Sequence, residues 1–183
     1  MNQLTSKNRL AIVFVLALSG AACTGKHNSV TVQNEEPPAS TKPALASVIR
    51  MNDPQVSGQL VKGFYGVEGG SWRWTAGKFA ARLQIPPGAA QSGATLNLNF
   101  SVPDAVLQKL GKITITGSIN GMSLTSSEFQ KSGPALYTAD VAPSLLTGDS
   151  VEADFTLDKS IPPGAIDRRE LGVIATSVAL IPK

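Results

Sequence analysis

Ile113-Thr-Ile-Thr-Gly-Ser-Ile-Asn-Gly-Met-Ser-Leu-Thr125 is the stretch that decides the fold class. Ile113, Ile115 and Ile119 alternate with Thr114, Thr116 and Ser118, the period of two expected of a strand with one buried and one wet face. Asn120-Gly121 then separates this run from Met122-Ser-Leu-Thr125. Both residues accept positive φ, and such a pair between two alternating runs predicts a tight antiparallel hairpin.

The same alternation extends outward in both directions. Phe79, Ala81, Leu83 and Ile85 alternate with Ala80, Arg82 and Gln84, and Leu96, Leu98 and Phe100 with Asn97, Asn99 and Ser101. Ala135–Val141 and Val151–Leu157 read the same way. From Leu171 to Ile181 both alternating sets are apolar or small, which predicts a central strand covered on both faces. Helix is expected only from Asp104 to Leu110, closed by Gly111, and as one turn at Pro143–Leu146. About seven to nine short strands with few helices predict an all-β chain, a single β-sandwich of jelly-roll or immunoglobulin-like kind over residues 56–183. A domain of that size holds a core without disulfide staples. Ile85-Pro-Pro-Gly-Ala89 recurs as Ile161-Pro-Pro-Gly-Ala165, with Phe79 and Phe155 at the same interval before each copy. Both copies are expected to end a strand in a turn.

Ahead of the domain the composition changes. Lys7 and Arg9 precede the apolar run Leu10–Leu18, then Ser19-Gly-Ala-Ala-Cys23, the layout of a secretory leader cut after small residues. The segment resembles the lipobox of bacterial lipoproteins, with Gly20 where that pattern prefers a larger apolar residue. The resemblance implies a leader over 1–22, a diacylglycerol on Cys23, a membrane partner through that lipid, and a place in the cell envelope. Thr24, in place of a retaining aspartate, favours the outer membrane. Residues 23–55 carry Pro37, Pro38 and Pro43 among polar side chains and are expected to form a disordered, extended stalk. A helical turn at Ala44–Ile49 is the one local element expected there. Removing residues 1–22 removes Lys7 and Arg9 and no acid, so 16 basic residues become 14 against 13 acidic ones. A nearly neutral chain without a basic run lacks the footprint of nucleic-acid binding.

Five of the nine aromatics beyond the leader fall between Phe64 and Phe79. Gly63-Phe-Tyr-Gly-Val-Glu68 and Ser71-Trp-Arg-Trp-Thr75 flank Gly69-Gly70, and a second charged cluster, Asp167-Arg-Arg-Glu-Leu-Gly172, enters the last strand. Gly63, Phe64, Tyr65, Glu68, Arg73, Trp74 and Thr75, with Asp167, Arg169, Leu171, Gly172 and Val173, resemble the motifs of small bacterial β-sandwich domains, several of them appended to glycosyltransferases. That resemblance implies carbohydrate contact through the company such domains keep. The residues themselves leave two readings open. In one, Tyr65, Trp72 or Trp74 offers a flat face to a sugar ring, and Glu68, Arg73, Asp167 and Arg169 supply oriented hydrogen bonds. In the other, tryptophan fills the core and a carboxylate–arginine bridge ties the first strands to the last. Base rates for buried aromatics and paired charges favour the second.

Enzyme signals are few. The single histidine, His27, and the single cysteine, Cys23, both precede the domain, so no Ser-His-Asp or Cys-His constellation and no transition-metal site is expected within it. Gly148-Asp-Ser150 lacks a downstream histidine and reads as a turn. Glu68 and Asp167 are the one pair to weigh as glycosidase carboxylates. Glu152, Asp154 and Asp158 share a strand face, which is more often solvated, at a sheet edge, than calcium-binding. No cofactor is expected. The expectation is a lipid-anchored, non-catalytic binding module for glycan or envelope polymer, the alternative being a structural subunit that docks another envelope protein.

Overall fold

The computed structural model describes residues 44–183. Its strands are β1 (Val48–Arg50), β2 (Leu60–Glu68), β3 (Trp72–Gln84), β4 (Ala94–Val102), β5 (Ile113–Ile119), β6 (Met122–Phe129), β7 (Gly133–Val141), β8 (Ser150–Leu157) and β9 (Ile174–Pro182). Two short helices, α1 (Ala89–Ser92) and α2 (Asp104–Leu110), and 3₁₀ turns at Pro54–Gln59 and Pro143–Leu145 connect them. The domain is all-β. Among the described residues no helix is long and apolar enough to cross a membrane.

All strand pairs are antiparallel, and the sheet runs β6-β5-β8-β3-β9-β4-β7. The terminal strands β6 and β7 are consecutive in the chain, so the sheet nearly closes on itself in a sandwich- or barrel-like body. β3 is the shared strand. Its beginning pairs with β9 (Arg73↔Ala175, Trp74↔Ile174), and from Lys78 to Gln84 it pairs with β8. The alternation read from sequence sets what lies inside: Phe79, Leu83, Leu96, Leu98, Ile113, Ile115, Ile119, Phe155 and Leu180 are all buried.

The Asn120-Gly121 hairpin forms as expected, with φ of 49° and 83° and Ile119 opposite Met122. Tyr137 marks the near-closure of the sheet. Between Thr116 and Ser118 the β5–β6 register slips, and the buried hydroxyl of Tyr137 enters from β7. It accepts from the Gly117 N–H at 2.9 Å and donates to the Thr125 carbonyl at 2.7 Å. One phenol thus joins both strands of the hairpin where their ladder breaks.

Five expectations need correction. The domain does not begin at residue 56: Ile49 and Met51 are fully buried, and β1 pairs with β9 (Ile49↔Val178). The expected helical turn at Ala44–Ile49 is accordingly replaced by strand, since β-branched Val48 and Ile49 complete a row of hydrogen bonds on β9. Gln59, 5% exposed, locks this segment in place. Its Oε1 accepts from Ala46 N, and its Nε2 donates to the carbonyls of Ala46 and Arg82. The last strand starts at Ile174 rather than Leu171, because Leu171 instead exchanges two backbone bonds with Ile161. β9 is covered on both faces only at Val178, Ala179 and Leu180, while Thr176 and Ile181 are exposed. Finally, β8 lies between β5 and β3, so its acidic residues are not on a sheet edge. The expected leader and the remainder of the stalk, with His27 and the Cys23 lipid site, lie outside the described residues.

The two Ile-Pro-Pro-Gly-Ala copies follow neighbouring antiparallel strands. Phe79 and Phe155 stand directly opposite one another and stack, ring centroids 5.1 Å apart. In the first copy Gly88 takes φ 84° and Ala89 opens α1. The second lies beyond the end of β8 and forms a loop hung on the Ile161–Leu171 bridge.

Candidate functional site

Two local constructions bring the charged motif together. The β2–β3 hairpin turns at Gly69-Gly70, both with positive φ, so Glu68 stands opposite Trp72. Gly63 also has positive φ, and a Cβ there would run into the Lys78 carbonyl; this allows β2 to bulge against β3. On the other side, the Gly172 N–H donates to the Thr75 carbonyl at 2.7 Å, and the Thr75 N–H to the Val173 carbonyl at 2.9 Å. The buried Thr75 hydroxyl accepts from the Val173 N–H. A Cβ on Gly172 would meet the Ala76 carbonyl at 2.6 Å, so only glycine permits this approach. The loop before β9 is thereby pressed against β3, and Arg169, which also holds Asp167, reaches Glu68.

Arg169 is the centre of the cluster. Its Nη1 lies 2.6 Å from Glu68 Oε1 and its Nη2 2.8 Å from Asp167 Oδ2. Its Nε and its own backbone N–H both donate to Asp167 Oδ1. The guanidinium carbon sits 5.2 Å from the centroid of the Tyr65 ring, a cation–π contact. The side-chain hydrogen bonds from Arg169, and then its backbone N–H, hold the Asp167 carboxyl below the usual carboxylate range. The same two carboxylates, Asp167 first, raise the Arg169 guanidinium above its ordinary value.

Arg73 does not join these carboxylates. It points the other way on β3, donating to the carbonyls of Met51 (2.9 Å) and Tyr65 (2.8 Å), and so ties β2 to the residue that follows β1. Trp72 and Trp74 are both half-buried. The Trp72 indole lies over Gly69 of its own turn, and Trp74 packs against the core. Of the seven predicted site residues, Tyr65, Glu68, Asp167 and Arg169 therefore converge, while Trp72, Arg73 and Trp74 serve the framework beside them.

The arrangement has consequences for the chemistries considered from sequence. Glu68 and Asp167 both bind one guanidinium, and an acid held below its normal range is a poor proton donor at neutral pH. Both carboxylates are thus committed to one ion pair with Arg169. Asp154 is bridged to Lys62 at 2.8 Å and Glu152 to Arg82 at 3.5 Å, while Asp158 accepts from the Thr114 N–H. These three carboxylates face different partners rather than a shared ion. Asp149, in the Gly148-Asp-Ser150 segment, accepts from Ile85 N through its backbone carbonyl, and Ser150 opens β8.

No family model matches the chain, and no curated protein shows significant similarity to it. The geometry must therefore carry the functional reading. Beside the clasp, Ile161, Pro162, Ala165 and Leu171 line an apolar cleft of about 300 Å³, with Lys109, Asp167 and Arg169 at its rim. Sequence reasoning noted the Ile-Pro-Pro-Gly-Ala repeat but not this cleft. The available signal was Ile161–Ile166, six residues without one polar side chain, placed between strands rather than inside one.

Proposed function

We propose that this chain is a lipid-anchored cell-envelope protein whose β domain is a non-catalytic module that docks another envelope protein. The lipobox-like segment ending at Cys23 supports the anchor and the envelope location, with the outer membrane favoured by Thr24. The observation that carries the docking reading is the pairing of the charged motif with itself. Glu68, Asp167 and Arg169 satisfy one another, and one face of Tyr65 is covered by the guanidinium. A sugar site needs polar groups left free to orient hydroxyls beside an open aromatic face. Here the uncovered surface next to the motif is apolar instead, which suits a protein partner.

Two measurements test this reading. Cys23→Ser in the full chain should move the protein from the membrane fraction to the soluble fraction; retention in the membrane contradicts the anchor. On a glycan array the chain should bind no sugar in a way that Trp72→Ala or Tyr65→Ala abolishes. A saturable glycan signal lost in either variant would return the motif to ligand binding.

A further inference from the structure

Asn120-Gly121 turns the β5–β6 hairpin, and Asn120 is the one asparagine of the chain followed by glycine. Such a pair carries a reaction of its own. The Gly121 nitrogen attacks Asn120 Cγ, the new C–N bond closes a five-membered succinimide, and the Cγ–Nδ2 bond breaks as ammonia leaves with the Gly121 proton. Water then opens the ring at either carbonyl, giving aspartate, or isoaspartate in which the main chain runs through Cγ. Glycine favours the attack because no Cβ shields its nitrogen. Asn97 and Asn99 are followed by Leu98 and Phe100 within β4 and lack that opening.

The turn is accessible to the water the reaction needs. Asn120, Gly121 and Met122 are all exposed, and a Cβ on Gly121 would touch nothing. The reacting groups are nevertheless held apart. Ile119 opposite Ala153 is the last pair of the β5–β8 ladder, and Asn120 carries that pairing one step further. Its N–H donates to the Glu152 carbonyl at 3.1 Å. Its Oδ1 accepts from the Glu152 N–H at 3.2 Å, in the place a main-chain carbonyl takes in a continuing ladder. Ring closure brings Cγ onto the Gly121 nitrogen, so the side chain must leave Glu152 and the Asn120–Gly121 peptide must rotate out of the turn. Both happen only when the hairpin tip comes away from β8.

We propose that Asn120 is a site of spontaneous deamidation gated by β8. The Asn120–Glu152 pair holds the reaction back while the hairpin is seated, and each release of the tip exposes it. The isoaspartyl product adds a methylene to a two-residue turn and removes the side-chain carbonyl that Glu152 binds, so the hairpin does not reseat. The reaction needs no docking partner and is independent of the reading above.

The test ages the full chain, folded and in urea, beside the free peptide Ser-Ile-Asn-Gly-Met-Ser (residues 118–123) at mildly alkaline pH. Isoaspartate at position 120 is followed by peptide mapping and by enzymatic isoaspartyl methylation. The unfolded chain and the peptide should react alike, and the folded chain roughly tenfold or more slowly, because it must first open locally. Tyr137→Phe removes the hydroxyl that joins both strands of the hairpin. It should speed the reaction of the folded chain and leave the rate in urea unchanged. The separated isoaspartyl form should melt lower and exchange the Glu152 N–H faster. Asn120→Asp, which keeps an Oδ1 for that N–H, should melt close to the unaltered chain. A folded chain that reacts as fast as the peptide, or a folded rate unmoved by Tyr137→Phe, overturns the gate. No isoaspartate at position 120 in any sample overturns the site, and an isoaspartyl form as stable as the unaltered chain overturns its consequence.

Discussion

Tyr137 and Arg169 show how single side chains hold this fold where its backbone pattern breaks. Tyr137→Phe leaves the Gly117 N–H and the Thr125 carbonyl without the hydroxyl that joins them. Urea unfolding should show a loss of about 1–3 kcal/mol, the cost of unsatisfied buried polar groups. Gly117→Ala should destabilise through the same contact, since a Cβ there would meet the hydroxyl at 2.7 Å. Burial pushes the Tyr137 phenol up. With its folded pKa raised, its contribution is present at neutral pH and falls away as pH rises beyond about 10. Tyr137→Phe should flatten that alkaline decline. Asp167 behaves oppositely. Its carboxyl is held low by Arg169, so the clasp contributes above the ordinary carboxyl value of about 4 and is lost as pH falls below it. Thermal unfolding from pH 6 to pH 2 should show a shallower acid loss for Asp167→Asn than for the unaltered chain.

At the scale of elements, the N-terminal strand and its glutamine lock connect separate parts of the sheet. β1 pairs with β9, while Gln59 joins Ala46 to Arg82 on β3. Ile49→Ala should cost about 2–5 kcal/mol, the range for emptying a fully buried aliphatic site. Gln59→Ala should also destabilise, and hydrogen exchange should then rise first at Ala46 and Leu180, whose backbone groups anchor that segment. The elements with long alternation were legible: Ile113–Ile119, Leu96–Phe100 and Phe155 all lie as their period implied, and Asn120-Gly121 turned where expected. β1 was not, because two inward side chains, Ile49 and Met51, make too short a pattern beside a Pro-rich stretch. Its strand character comes from the open side of β9, which is tertiary context. The clasp was half legible. Residue types and spacing named its members, but the choice of Arg169 over Arg73 depends on strand parity and on the loop pressed against Thr75.

At the scale of the molecule, the proposed docking role rests on a charged motif paired with itself beside an exposed apolar loop. The proposed lipid at Cys23 would confine such a domain with its partner near one membrane and so raise their effective concentration. Docking under those conditions needs less intrinsic affinity than docking in bulk solution. The contrast with ligand capture is concrete, because a sugar site would engage Tyr65 and Trp72 whereas a docking site engages the loop around Ile166.

In-cell photocrosslinking separates the two most directly, with a benzoylphenylalanine placed in turn at positions 65, 72 and 166 of the full chain. The expected result is a discrete protein adduct from position 166 and none from 65 or 72. Adducts to glycan at 65 or 72, or no protein adduct from any of the three positions, would contradict the docking account.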